Sequence, residues 1–164
     1  KPLSRNNAMN ADIHVLWPIY QTSTDILHEY FIPIDQLDSF LKSFRELVLD
    51  NHINLLNMTL REVREDNITL MPYAQKDVIA LVCFYAQEKG DTAEKEMIKF
   101  TQQAIDKAFK HGGSFYLPYR LHYTKEQFLK AYPHAPEFMA LKKKWDHQTI
   151  FTSEFFNYWR FWVH

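Results

Sequence analysis

The sequence predicts an α+β fold: a ferredoxin-like antiparallel sheet with helices on one face, followed by a helical C-terminal extension. Three observations predict it. Between residues 28 and 121 the hydrophobic patterning runs strand, helix, strand, strand, helix, strand, which is the split βαβ order. The second strand pattern alternates in polarity, as a sheet with one covered face requires. The third is apolar on both faces, as a central strand is.

The elements follow in order. Residues 1–27 read as an irregular N-terminal segment, with Pro2 and Pro18 interrupting any regular element. "HEYFIP", His28 to Pro33, is a short strand closed by proline. From Asp35, a candidate cap, Leu37, Phe40, Leu41, Phe44, Leu47 and Val48 fall on one helical face. In "INLLNMTLREV", Ile53 to Val63, Leu56, Met58 and Leu60 point toward the helices, while Asn57, Thr59 and Arg61 point away. A polar connection containing "DN" leads to "VIALVCFYAQ", Val78 to Gln87, the central strand.

"DTAE", Asp91 to Glu94, has the form of a capping box and opens a helix that runs to Gly112. "SFYLPYR" follows as the last strand, closing the sheet domain assigned to residues 28–121. In the extension, 122–164, "TKEQ" is a second capping box and Pro136 starts a further helix through "EFMALKKKW". The aromatic tail "IFTSEFFNYWRFWVH" has no partner that the sequence names.

Composition narrows the function classes. The 164 residues are 46% hydrophobic and 24% charged, values of a globular domain with a real core. Nineteen basic residues against twenty acidic ones give a net charge of −1, so no field draws nucleic acid or an acidic membrane. Cys83 is the only cysteine and sits in an apolar run, an inert core thiol. No apolar run is long enough for a membrane span, and no signal-peptide pattern occurs. The chain begins at Lys1, which is expected of a processed protein or an excised piece. The cytoplasm is the default expectation for its compartment. His122, His134 and His147 lack metal-site spacing and read as surface residues.

The aromatic share of 16% is high, and an open sheet face carrying polar and aromatic groups calls for a cover. Four blocks indicate one. "HEYFIP", "LLNMTLREV", "GGSFYLPYRLHYTKEQFLKAYP" and "FMALKKKWDHQTIFTSEFF", together spanning Thr24 to about Tyr158, resemble the C-terminal half of flavin-linked oxidoreductases. The family is the vanillyl-alcohol oxidase and p-cresol methylhydroxylase superfamily, nearest its aldonolactone/alditol oxidase and decaprenylphosphoryl-ribose oxidase branches. The resemblance implies a substrate-binding cap domain laid over the ring of FAD, with the FAD held mainly by a separate N-terminal domain. With three glycines and no G-x-G-x-x-G, the sequence offers no phosphate-wrapping loop of its own. This chain alone is then expected to be inactive.

The same resemblance assigns roles. Alditol oxidases carry a lysine facing the flavin where Tyr119 stands here, so this position departs from the family. Their Glu-x-Arg corresponds to Thr59 and Arg61, and an asparagine of the ribose-oxidase branch corresponds to Asn57. Tyr119 and Arg61 are thereby the candidate catalytic and cofactor-facing residues. Asn57, Thr59, Tyr116, Arg120 and Glu29 are the candidates for a small-molecule substrate, an alcohol or a sugar or lactone hydroxyl. Arg61 also has acidic neighbours that offer it a purely salt-bridged role. Tyr116 and Tyr119 fall on opposite faces of a regular strand unless Pro118 forces a bulge. His28 and Glu29 also face opposite ways, so at most one of them lines the pocket. The competing expectation is a self-standing ferredoxin-like module that uses its open face for a ligand or for homodimerisation.

Overall fold

The computed structural model describes residues 22–160. Its elements are β1 (Ser23–Pro33), a 3₁₀ turn (Ile34–Gln36), α1 (Leu37–Asp50), β2 (Leu55–Val63), β3 (Val78–Glu88), α2 (Asp91–Lys110) and β4 (Ser114–Phe115). Three shorter helices follow: α3 (Lys125–Ala131), α4 (Ala135–Trp145) and α5 (Glu154–Trp159). The strands form one antiparallel sheet in the order β2-β3-β1-β4, the order that split βαβ units generate. The α+β class is therefore what the sequence predicts. Most of the irregular segment expected over 1–27 lies outside the described residues, and its described end is already β1.

Alternation along β1 and β3 sorts the side chains. Ile26, Tyr30 and Ile32 with Leu81, Cys83 and Tyr85 face the helices, where Phe40, Phe44 and Leu47 of α1 and Met97, Phe100, Ala104 and Ile105 of α2 bury them. The other face carries Phe31, Val78 and Ala80 beneath Ala74 of the β2–β3 connection. Cys83 is fully buried, and burial pushes its thiol up to about 12, so it stays unreactive.

Several local expectations are corrected. A bulge between Leu55 and Asn57 shifts the register of β2. Leu55 takes the core position and Leu56, placed under the helices by simple alternation, is 51% exposed. Asp35 does not cap α1; its carboxylate accepts from Gln36 Nε2 at 3.1 Å instead. The Asp91–Glu94 box does not form, because Gly90 is the N-cap and the Glu94 carboxylate is engaged elsewhere. At Thr124 the box does form: the hydroxyl accepts from Gln127 N–H at 3.2 Å, and Gln127 Oε1 accepts from Thr124 N–H at 3.1 Å.

Both glycines of the 112–113 pair have structural work. Gly112 has φ +67°, the left-handed conformation that ends α2. At Gly113 a Cβ would lie 2.4 Å from the Phe31 carbonyl oxygen, so only glycine lets β4 start against β1. The strand expected over "SFYLPYR" is cut to Ser114–Phe115. One more bond, from Tyr116 N–H to the Glu29 carbonyl at 3.0 Å, extends the pairing. Pro118 then has no N–H to give, and the chain turns away.

The tail does have a partner in this chain. Trp159 is fully buried, its ring stacked on Tyr123 at 5.4 Å and on Phe128 at 4.3 Å, and its indole N–H donates to Tyr123 Oη at 3.2 Å. Tyr123, Phe128, Tyr132, Met139 and Trp159 belong to the same core as the sheet and its two helices. Trp159→Ala is expected to cost about 3–5 kcal/mol in urea unfolding. A change within about 0.5 kcal/mol, the range of surface positions, would show that the tail does not belong to the core.

Candidate functional site

The register sets Glu29 of β1, Val82 of β3 and Thr59 of β2 in one row of the open face. Asn57 and Arg61 lie on the same face of β2, opposite Phe84 and Ala80. Two ordinary strand spacings, about 10 Å, separate β2 from β1, a gap that the long Arg61 side chain narrows. The chain turn at Pro118 brings the Tyr119 phenol and the Glu29 carboxyl close enough to act on each other's ionisation, with the Arg61 guanidinium close enough for its charge to act on both. Partial burial raises the pKa of Glu29, against the opposing pull of Arg61 and Tyr119. Burial and then the Glu29 charge raise that of Tyr119, so the phenol remains a proton donor at neutral pH.

The same turn resolves the two tyrosines. Tyr116 and Tyr119 do not point to opposite faces; their rings meet edge to face at 5.4 Å, because the strand ends before Tyr119. Tyr116 continues an aromatic strip through Tyr73, at 5.6 Å, to Phe31, on which Tyr73 stacks at 4.9 Å. Depressions flank this centre. One of about 300 Å³ is lined by Asp25, Leu27, Phe84, Tyr119 and Arg120, and another of about 250 Å³ by Phe31, Tyr73, Lys76 and Ser114. The face thus offers aromatic walls, a carboxyl, a phenol and a guanidinium within one surface.

A second polar cluster lies beneath the sheet. His122 is 4% exposed, so its reading as a surface residue is corrected. Its Nε2–H donates to Glu94 Oε1 at 2.8 Å, while Gln87 Nε2 donates to Glu94 Oε2 at 2.8 Å. These bonds, that of Gln87 first, lower the Glu94 pKa. His122 itself is lowered by burial against the attraction of Glu94. His28 is also 4% exposed, and burial, then the charges of His122 and Arg120, push it down to about 3. Thr101 Oγ1 lies 3.5 Å from His122 Nδ1. This is not a nucleophilic triad, since the hydroxyl donates to the Met97 carbonyl at 2.7 Å and is enclosed.

Of the sequence-assigned residues, Glu29, Arg61, Tyr116 and Tyr119 converge. Asn57 and Thr59 share the face from its edge strand without touching that centre in any recorded contact. Arg120 stands at the β1 edge, between the open face and the buried histidines. Sequence reasoning missed Tyr73, which sits in a connection read as merely polar, and Glu94, whose capping-box pattern concealed its pairing with His122. Among the described residues no three His, Cys, Asp or Glu side chains gather as a metal set. No described helix is long and apolar enough to cross a membrane. In comparisons with known proteins the chain matches no family model and no curated protein.

The buried histidines give the fold a defined pH response. Their folded-state pKa values lie below the ordinary 6.5, so the stability they allow is complete above that pH and is lost as pH falls toward the folded values. His28→Phe removes one such group. Its unfolding free energy relative to the parent chain should rise by about 2 kcal/mol between pH 7 and pH 5, read by urea denaturation at both. A pH-independent difference would mean that His28 ionises as readily folded as unfolded.

Proposed function

We propose that this chain is the substrate-binding domain of an FAD-dependent oxidoreductase acting on an alcohol, a sugar or lactone hydroxyl being the expected class. The observation that carries the reading is the Glu29–Tyr119–Arg61 cluster, set between aromatic walls on a sheet face that the chain's own helices leave free. A carboxyl, a phenol and a guanidinium recognise vicinal hydroxyls by hydrogen bonds that apolar ligands cannot return. Asn57 and Thr59, further along the same face, would extend that recognition to a longer polyol.

The aromatic strip of Phe31, Tyr73 and Tyr116 would serve a flavin ring as a wall, and the paired glycines would not serve it as a phosphate cradle. The Gly112 and Gly113 N–H groups already donate to the Phe109 and Ala108 carbonyls, so they leave no nest for a diphosphate. FAD, held mainly by an N-terminal domain outside this chain, would supply the hydride acceptor for the carbinol C–H. Arg61 would orient the substrate oxygen and offset negative charge that develops above the face. Tyr119, kept protonated, would donate a hydrogen bond to that oxygen, the task that an ammonium performs in the alditol oxidases this chain resembles. Glu29, beside Tyr119, would accept the hydroxyl proton directly.

The test uses the product of the complete open reading frame, mixed anaerobically with polyols, aldoses and aldonolactones while flavin reduction is followed. Arg61→Ala should lower the second-order rate of reduction about 10- to 100-fold, the equivalent of a charged hydrogen bond worth about 1.5–3 kcal/mol. Tyr119→Phe should lower it less, leaving substrate affinity closer to the parent value. Full activity in both variants would move the reaction off this face, and no flavin reduction by any of these compounds would favour the ligand-binding or dimerisation module instead.

A further inference from the structure

β2 lies at one end of the sheet, and no described strand pairs with its outer side. The opposite end is closed by brevity, since β4 is only Ser114–Phe115. β2 runs from Leu55 to Val63, holds no proline or lysine, and is regular from Asn57 onward, its bulge lying before that residue. A long edge without such devices is a template for pairing with another chain.

Backbone hydrogen bonds fix which groups face outward. Tyr116 N–H donates to the Glu29 carbonyl at 3.0 Å, so the backbone polar groups of Glu29 point toward β4. Those of Val82, opposite Glu29 on β3, then point toward β2, as Ala86 N–H does in donating to the Asn54 carbonyl at 3.0 Å. Thr59, opposite Val82, therefore bonds inward. Met58, Leu60 and Glu62 aim their N–H and C=O groups away from the sheet. Apolar surface is left over as well. Leu60 faces the helix side, opposite Leu81, yet is 48% exposed, and Met58 on the same side is only partly buried against the core.

We propose that β2 pairs antiparallel with β2 of a second copy of this chain, about a two-fold axis at Thr59, so that the two sheets join into one. In this register Met58 exchanges hydrogen bonds with Leu60 of the partner subunit, and their side chains meet on the helix side. On the open face Arg61 stands opposite Asn57 of the partner subunit, whose amide oxygen can accept from the guanidinium. A shift of one pleat toward the C-terminal end sets the two Arg61 side chains diagonally, and the next sets them directly opposite, which like charge opposes. A shift the other way runs the pairing into the bulge at Leu55–Asn57. A second copy suits this edge because the strand is its own complement in one register. The pairing does not rest on the function proposed above; only the use of the partner's Asn57 beside Arg61 for substrate does.

Sedimentation of the full 164-residue chain at about 50 μM, a concentration suited to a small interface, should give twice the chain mass. A monomer there overturns the proposal. Leu60→Lys, a change at a half-exposed site, puts charge into the pairing and should return the monomer. Trp145→Lys, at a 77% exposed apolar position on α4, should leave the dimer intact. A dimer that survives Leu60→Lys, or is lost in Trp145→Lys, overturns the assignment to this edge. Register is read separately. Thr59→Cys should cross-link two chains under oxidised glutathione, because a non-hydrogen-bonded antiparallel pair sets its Cα atoms about 4.5 Å apart, within disulfide range. Asn57→Cys should not, since its two copies would lie about 14 Å apart, and the native Cys83 is buried. Absence of the Thr59→Cys cross-link overturns this register. No readout involves a flavin or an alcohol, so failure here and failure of the proposed function remain distinguishable.

Discussion

The pairing of β1 with β3, residue for residue from Ser23–Glu88 to Pro33–Val78, is the constraint on which the rest depends. Strand period fixes every second residue to one face. His28, Tyr30 and Ile32 go under the helices while Glu29 and Phe31 go to the open side. A slip by one residue would bury Glu29 among Phe40, Phe44 and Phe100, a carboxylate in an aromatic core, and would expose Tyr30 and Ile32. The register is therefore enforced by the core, and the placement of the candidate site is a by-product of that enforcement.

The short β4 matters equally, and for what it omits. Gly113 lets it approach β1 closely, and Pro118 ends it after a few residues. Had the strand continued, Tyr119 would have followed the sheet and faced away from Tyr116. Because it turns, phenol, carboxyl and guanidinium lie on one side, within reach of one another's charge, and a seam opens beside His28. The polar side chains above and below the sheet are thus two consequences of one early strand ending. The helical extension supports this arrangement from behind: Tyr132 Oη donates to the Phe115 carbonyl at 2.5 Å, tying α3 to β4.

Much of the fold was legible because it is written in periodicity. The α1 face from Leu37 to Val48 packs as its spacing indicates, and β3 is the central strand its composition indicates, buried against the helices and, at Val78 and Ala80, on the other side as well. The open-face assignment of Asn57, Thr59 and Arg61 survives because the bulge in β2 precedes them. Leu56 did not follow the pattern because Leu55 beside it is equally apolar, so alternation alone could not say which enters the core. Capping at Asp91 was misleading for another reason: Glu94 serves either a helix start or a buried histidine, and only tertiary structure places His122 within its reach. The convergence at Glu29 was half legible, since the sequence gives the strand face but not the turn that carries Tyr119 to it.

The central claim is that the open face covers a flavin and its substrate. The most direct measurement is the visible absorption of the purified product of the complete open reading frame, before and after anaerobic addition of an alcohol substrate. A flavin spectrum that bleaches with a polyol or sugar lactone, in a protein whose isolated 164-residue segment is colourless, is what the account predicts. A colourless full-length product would contradict it, and Glu29, Arg61 and Tyr119 would then belong to a surface that binds without redox chemistry.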